Sequence, residues 1–470
     1  MKTAASLLIA FGLFAGVVNA NATTYEYVVS VDPDLRKLQV AASFGKATDA
    51  ISARSRDAGD YLENVRDCTT ADNQRIRIRN RRMLLPQDGI TCLSYTVDLQ
   101  RAAKNERRNT SLAATNCIVS PADWLWRPEI GSEDEIIIRF ELPDDVDVSV
   151  PWIAIENKTD TYRLVNSPES STAFAAFGQL EYREIDIPGA TLRVTIMRPK
   201  QKIPLDPLYE WVRDTAQTVN LAYGRFPNPA TSVVVLPNDR GWSRDDAVTF
   251  GRVVRDGGET IELFVNPTRP MSEFYADWTA THEFSHLMMP YVSDEHSWIS
   301  EGFATYYQNV LMARAGRYTE QKAWLKLWEG FERGRQSRPE MSMNEASREG
   351  VRGATMKIYW SGAVIALMAD AELRQRSNGE VSLDSVLGRL QQCCLPSDHS
   401  WSGTEFFTKL DSLLDDPVFM PLYRRYANTA GFPEVRTLLE DLGVDYEQGE
   451  VLLRSRAELV GIRSAIMRKP

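Results

Sequence analysis

The chain holds four histidines, and three of them, His282, His286 and His296, fall within one short stretch whose centre reads Thr281-His282-Glu283-Phe284-Ser285-His286. With so few histidines, chance would supply the pattern H-E-x-x-H roughly 0.005 times, so the spacing asks for a chemical reason. A helix gives one. At 3.6 residues per turn, positions i and i+4 share a face, so both imidazoles can address one metal ion while Glu283 stands at the edge of the same site. Two neutral imidazoles, a carboxylate and a position left to water form the donor set of a catalytic zinc, whereas a structural zinc is closed, usually by thiolates. The alternative is a pair of hydrogen-bonded core histidines.

A third ligand has to come from downstream. Pro290 should end the motif helix, and the loop 291–297 lets a second helix return with Trp298-Ile299-Ser300-Glu301-Gly302-Phe303-Ala304. Glu301 lies in its first turn and can face the two histidines. His296 is the rival, but a three-histidine site of the metzincin kind has a Gly between the second and third His at a fixed spacing, and that Gly is absent here. Glu301 is therefore the expected ligand, and His296 a loop residue or substrate contact.

With these residues in place the sequence resembles the gluzincin metallopeptidases, in which H-E-x-x-H is followed by a helix carrying W-x-x-E-G-F-A or close variants. Among them it is most similar to the M61 glycyl aminopeptidases, with the M1 aminopeptidases as relatives. The resemblance implies a thermolysin-like catalytic domain, one zinc per chain held by His282, His286 and Glu301, Glu283 as general base, and a peptide or protein substrate. The segment Tyr359-Trp360-Ser361-Gly362 resembles the Y-x-x-G of these enzymes, whose Tyr hydroxyl meets the oxyanion; taken alone, a Tyr opening a buried helix is a core residue. Two departures stand out. Four positions after Glu301, where thermolysin-like enzymes carry an Asp that orients a ligand His, stands Thr305. The M1 G-x-M-E-N strand, whose Glu grips a free amine, is missing. Its nearest equivalents are the edge strand around Phe250 and Gly251, which could pair with an extended peptide, and the turn residue Glu259, either an amine anchor or a solvated carboxylate. Aminopeptidase action is the expectation, with a zinc endopeptidase or a non-catalytic exported binding protein of the same fold as alternatives.

The elements that must position these residues follow from pattern and composition. The 470 residues are 43% apolar and 25% charged with a net charge of −10, the profile of a globular protein and not of one that binds nucleic acid by neutralising phosphates. Lys2, the apolar stretch from Ala4 to Val18 and the small residues up to Ala22 read as a secretory signal over 1–22, so the product is expected to be periplasmic or secreted, with no integral membrane segment after cleavage. In that setting the five cysteines, none with metal-ligand spacing, read as structural bridges plus one odd thiol, with Cys68–Cys92 the expected pair. Period-two alternation dominates 23–204, interrupted by a helical stretch near 46–65, and predicts a β-rich N-terminal domain. The alternating Arg75, Arg77 and Arg79 read as a solvated strand face, with a docking strip for an acidic partner as the other reading. Residues 205–320 form the catalytic α+β unit, 321–445 an α-helical domain and 446–470 a tail, so the fold class is α+β.

Overall fold

The computed structural model describes residues 23–470 except 71, 73, 80, 105–109, 113–115, 132, 165–172, 198–202, 238–245 and 256; the expected signal, 1–22, lies outside them. The N-terminal part is a β-sandwich. One sheet has eight strands, with Thr24–Val31, Lys37–Thr48 and Ile90–Asp98 near its middle, and the other has four. Alternation puts Tyr25, Tyr27, Val29 and Val31 inward from the first strand, where they meet Trp124, Trp126, Trp152 and Phe177 in a single apolar core. Cys68 and Cys92 are bridged, as expected, Cys393 and Cys394 are bridged to each other, and Cys117 is a buried thiol.

The expected helix near 46–65 does not form. The chain stays extended to Thr48, makes a 3₁₀ turn at Ala58–Tyr61 and re-enters the sheet at Leu62–Asp67. Its buried residues Ile51, Ala53, Ala58, Tyr61 and Val65 dock on the sandwich, and Asn64 has a φ of 54°, which a helix interior does not accept.

The site is carried by a separate five-stranded sheet in the order Leu180–Ile187, Ala190–Met197, Ala230–Pro237, Glu259–Val265, Val248–Arg255. The three middle strands are parallel and the two edges antiparallel. Two of these strands precede the expected boundary at 204; periodicity marks a strand but not the sheet it joins, and the register Thr191↔Ala230 settles that. The helix Asp206–Val219 covers one face with Trp211 and Val212. The motif helix expected to run up to Pro290 is broken: Met271–Ala276 and Thr279–Ser285 are separate helices, followed by the 3₁₀ turn His286–Met288. Asp277 divides the first two by accepting from the Thr279 N–H at 2.7 Å.

The helical part is built around two long helices, Ser297–Arg314 and Val351–Arg376, the latter with a non-helical residue at Ala354. A helix the sequence reading omitted, Met343–Glu349, opens with a capping box between Ser342 and Glu345. Inside the bundle, Tyr306 donates to Asp370 at 2.7 Å, Tyr307 to Asp384 at 3.0 Å, and Arg314 and Arg374 pair with those same carboxylates. No described helix is long and apolar enough to cross a membrane.

The expected tail over 446–470 is instead structured, as the hairpin Val444–Glu447 with Glu450–Leu453 and the helix Val460–Met467. Val451, Leu459, Ile466 and Met467 are buried in the main core, and one arginine ties the segment together. Arg463 is 6% exposed, and its guanidinium donates to the carbonyls of Leu442, Gly443 and Arg454 and pairs with Glu320 at 3.1 Å. Arg314 returns the tie by donating to the Ile466 carbonyl at 2.9 Å. Arg463→Met keeps the apolar stem but strands those carbonyls, and is expected to cost about 3 kcal/mol. A thermal melt should register this as a drop of several degrees, and an unchanged midpoint would mean the segment contributes no stability.

Candidate functional site

The motif helix Thr279–Ser285 lies under the edge strand Val248–Arg255 and against the helix Ser297–Arg314. His282 and His286, one turn apart, present perpendicular rings with centroids 4.8 Å apart. Their outer nitrogens are held from the second helix: Gln308 Oε1 accepts from His282 Nδ1 at 2.8 Å, and Ser300 Oγ meets His286 Nδ1 at 3.0 Å. The two Nε2 atoms then face each other at 3.2 Å, with Glu301 Oε2 at 3.2 Å and 3.5 Å from them. These three donor atoms lie within 4.8 Å of one another. With protons on the Nδ1 side, three lone pairs converge with no hydrogen between them, a set that a cation fits and that neutral packing does not explain.

His282, Glu283 and His286 are buried and Glu301 is half-buried, and the electrostatics follow from that. Burial alone would raise the Glu301 pKa, but His286 and His282 outweigh it and hold the carboxylate well below its usual range. Glu283 is raised, first by burial and against the pull of the two histidines. A Cβ built on Gly251 would stand 2.6 Å from Glu283 Cγ and 3.1 Å from Thr279 Cγ2, so only glycine lets this edge backbone lie against the carboxylate. Phe250 turns to the opposite face, where its ring packs on Phe264 at 5.7 Å.

Tyr359 stacks on the His282 ring with centroids 5.6 Å apart and planes 6° from parallel. Its pKa is pushed well up, first by burial, then by the charges of Glu301 and Glu283 and by a hydrogen bond to Glu301. It therefore keeps its proton and is a donor. What brings it here is a glycine pair. A Cβ on Gly302 would stand 2.2 Å from Gly362 Cα, and one on Gly362 only 1.8 Å from the Trp298 carbonyl oxygen. The glycines of W-x-x-E-G and Y-x-x-G are thus the contact at which the two long helices cross, one residue from Glu301 and three from Tyr359.

Two expected substrate contacts are spent elsewhere. Glu259 gives one oxygen to Arg255 at 2.8 Å and the other to Asn228 at 2.5 Å, and Arg255 in turn donates to the carbonyls of His286 and Met289. The carboxylate thus braces the end of the motif helix through Arg255. His296 has its ring nitrogens on Tyr423 Oη at 3.0 Å and Ser293 Oγ at 3.3 Å, outside the ligand group. The reading missed Gln308 and Ser300. Gln308 was legible as the i+7 neighbour of Glu301, on the same helix face.

Residues 290–365 match the M61 glycyl aminopeptidase family, a span that takes in Glu301 and Tyr359 and begins after the two histidines. No curated protein matches the chain. Among solved structures, an aminopeptidase N family protein from Idiomarina loihiensis superposes with a TM-score of 0.67 at 14% identity, over 89% of this chain and 78% of that one. An M1 zinc metallopeptidase from Deinococcus radiodurans does so with a TM-score of 0.54 at 14% identity, over 88% of this chain and 94% of that one. The fold is that of the M1 zinc metallopeptidases. Both the M61-like stretch and this fold agree with the resemblance drawn from the motifs, and with an N-terminal β part followed by a C-terminal helical part.

Outer partners of metal-bound histidines fix ring orientation and typically contribute 10–100-fold to metal affinity. Gln308→Ala is accordingly expected to weaken zinc binding about 10-fold or more, measured by competition with a chromogenic chelator. An unchanged affinity would mean that stacking on Tyr359 alone orients His282.

Proposed function

We propose that this chain is an exported zinc-dependent peptidase, with aminopeptidase action as the leading reading. The observation that carries it is the convergence of His282 Nε2, His286 Nε2 and Glu301 Oε2 within 4.8 Å, with the Glu283 and Tyr359 side chains at its rim. His282, His286 and Glu301 would hold the ion, which when bound supplies a Lewis acid and a water of lowered pKa. Gln308 and Ser300 keep the two imidazoles turned inward. Glu283, raised by burial, takes a proton from the attacking water and passes it to the leaving amine. Tyr359, which retains its proton, donates to the carbonyl oxygen of the substrate as negative charge grows there. The edge strand Val248–Arg255 offers backbone groups to an extended peptide, and Gly251 lets that peptide approach Glu283.

The M61 match and a solved M1 zinc metallopeptidase from Deinococcus radiodurans bound to a Tyr-Ser-Ala substrate support peptide hydrolysis. Lys2 with the apolar stretch behind it and the Cys68–Cys92 bridge support export. Endopeptidase action is the second reading, favoured by one observation: Glu259 is engaged by Arg255 and Asn228. A non-catalytic binding protein has no use for a buried Glu283 beside the ligand cluster.

Purified without chelator, or reconstituted, the protein should carry about one zinc per chain, and Glu283→Gln should keep that zinc while losing peptide hydrolysis by on the order of 10² or more. Absence of zinc after both treatments sinks the proposal, and full activity in the variant moves proton transfer to another group. Exo- and endopeptidase action separate on one peptide series. Acetylating the amino terminus should abolish cleavage if the enzyme trims from that end, and should leave it unchanged if it cuts internally.

A further inference from the structure

Residues 74–87 hold five arginines and no acid in a chain whose net charge is −10. The structure sorts them by face. Arg75, Arg77 and Arg79 are exposed, while Ile76 between the first two is buried and Ile78 half-buried. The strand Arg77–Arg79 forms a two-stranded hairpin with Arg82–Leu84, in the register Arg77↔Leu84, Ile78↔Met83, Arg79↔Arg82. Directly opposed residues share a face, so Arg77, Arg79, Arg82 and Leu84 all point outward, and Met83 packs inward at 4% exposure. Leu84, 53% exposed, is the most exposed of the large apolar side chains described. Arg75 continues the same row from the neighbouring edge strand, opposite Arg66.

This arrangement costs stability. Like charges directly across a ladder repel, and Arg79 and Arg82 form such a pair. Among the described residues no ion pair joins Arg75, Arg77, Arg79 or Arg82 to a carboxylate. The acidity of the rest of the chain does not cancel the strip, because at physiological ionic strength charge is screened beyond about 8 Å.

We propose that the outward face of this hairpin, with Arg75, Arg77, Arg79, Arg82 and Leu84, is a docking surface for an extended acidic peptide segment. Alternate residues of a strand recur every 6.7 Å or so, and a partner in the same conformation carries its same-side carboxylates at that repeat. Among the described residues the strand Arg77–Arg79 pairs with Arg82–Leu84 alone, so its other edge has backbone groups to offer a peptide, which a lipid headgroup cannot use. Leu84 meets one apolar side chain of the partner. The surface is independent of the hydrolytic site.

The test uses the intact chain and a fluorescein-labelled, acetylated nonapeptide of alternating Glu and Val, read by anisotropy, with peptide integrity checked by chromatography. Binding should weaken as salt rises, and a peptide of the same composition with its Glu residues in one block should bind less well. The triple variant Arg75→Ser, Arg77→Ser, Arg79→Ser should lose about tenfold in affinity, each exposed charge contact contributing about twofold. The triple Glu variant at those positions should instead take up an alternating Lys-Val peptide, which shows that a loss is not misfolding. Equal affinity in the wild-type and Ser-substituted chains overturns the proposal. So does indifference to the order of Glu and Val, or cosedimentation of the wild-type chain with phosphatidylglycerol vesicles in the absence of peptide binding.

Discussion

Everything at the centre of this molecule depends on how closely two helices can approach. Where Gly302 meets Gly362, the backbones of Ser297–Arg314 and Val351–Arg376 touch with no side chain between them. One methyl group at either position would stand 2.2 Å or less from the opposite backbone and force the helices apart. That spacing sets where Glu301 stands relative to His282 and His286, and whether Tyr359 can lie flat on the His282 ring. The glycines at the ends of the two motifs therefore do steric work for chemistry performed by their neighbours.

The second constraint is charge in a dry place. His282, Glu283 and His286 are buried with Glu301 half-buried beside them, and the histidines hold the Glu301 carboxylate well below its usual range while burial raises Glu283. Such a cluster is unfavourable unless it is balanced, and the balance here is local: neutral Gln308 and Ser300 hold the outer ring nitrogens, so the carboxylates face the inner ones. Elsewhere in the bundle the same problem is solved by closed pairing, with Arg314 and Arg374 against Asp370 and Asp384. The contrast is informative, because the bundle network has its donors and acceptors matched and the histidine cluster leaves three acceptors pointing at one another.

Most of the ligand cluster was legible in the sequence because a helix turns spacing into direction. His282 and His286 at i, i+4, and Glu301 in the first turn of a returning helix, needed no tertiary information. What stayed hidden depended on long-range partners. Glu259 looked available until Arg255 and Asn228 were seen to take it, and His296 looked like a ligand candidate until Tyr423, far along the chain, claimed its ring. The boundary at 204 was misplaced because alternation reports an extended backbone and not its neighbours. Residues near 46–65 read as helix because their composition suits one, while the sandwich core pulls Tyr61 and Val65 in from extended backbone. The segment after 446 read as a tail since what holds it, Arg463 and the scattered buried side chains Val451, Leu459 and Ile466, makes no periodic pattern.

That last segment bears on the order in which the molecule can be made. The helix that carries Glu301 ends at Arg314, and Arg314 completes its hydrogen bonds on the carbonyl of Ile466, 152 residues further along the chain. A chain still being synthesised has every residue of the histidine-glutamate cluster long before it has Ile466. The helix beneath the cluster is thus fully tied down only once a segment 152 residues downstream of Arg314 has docked on it.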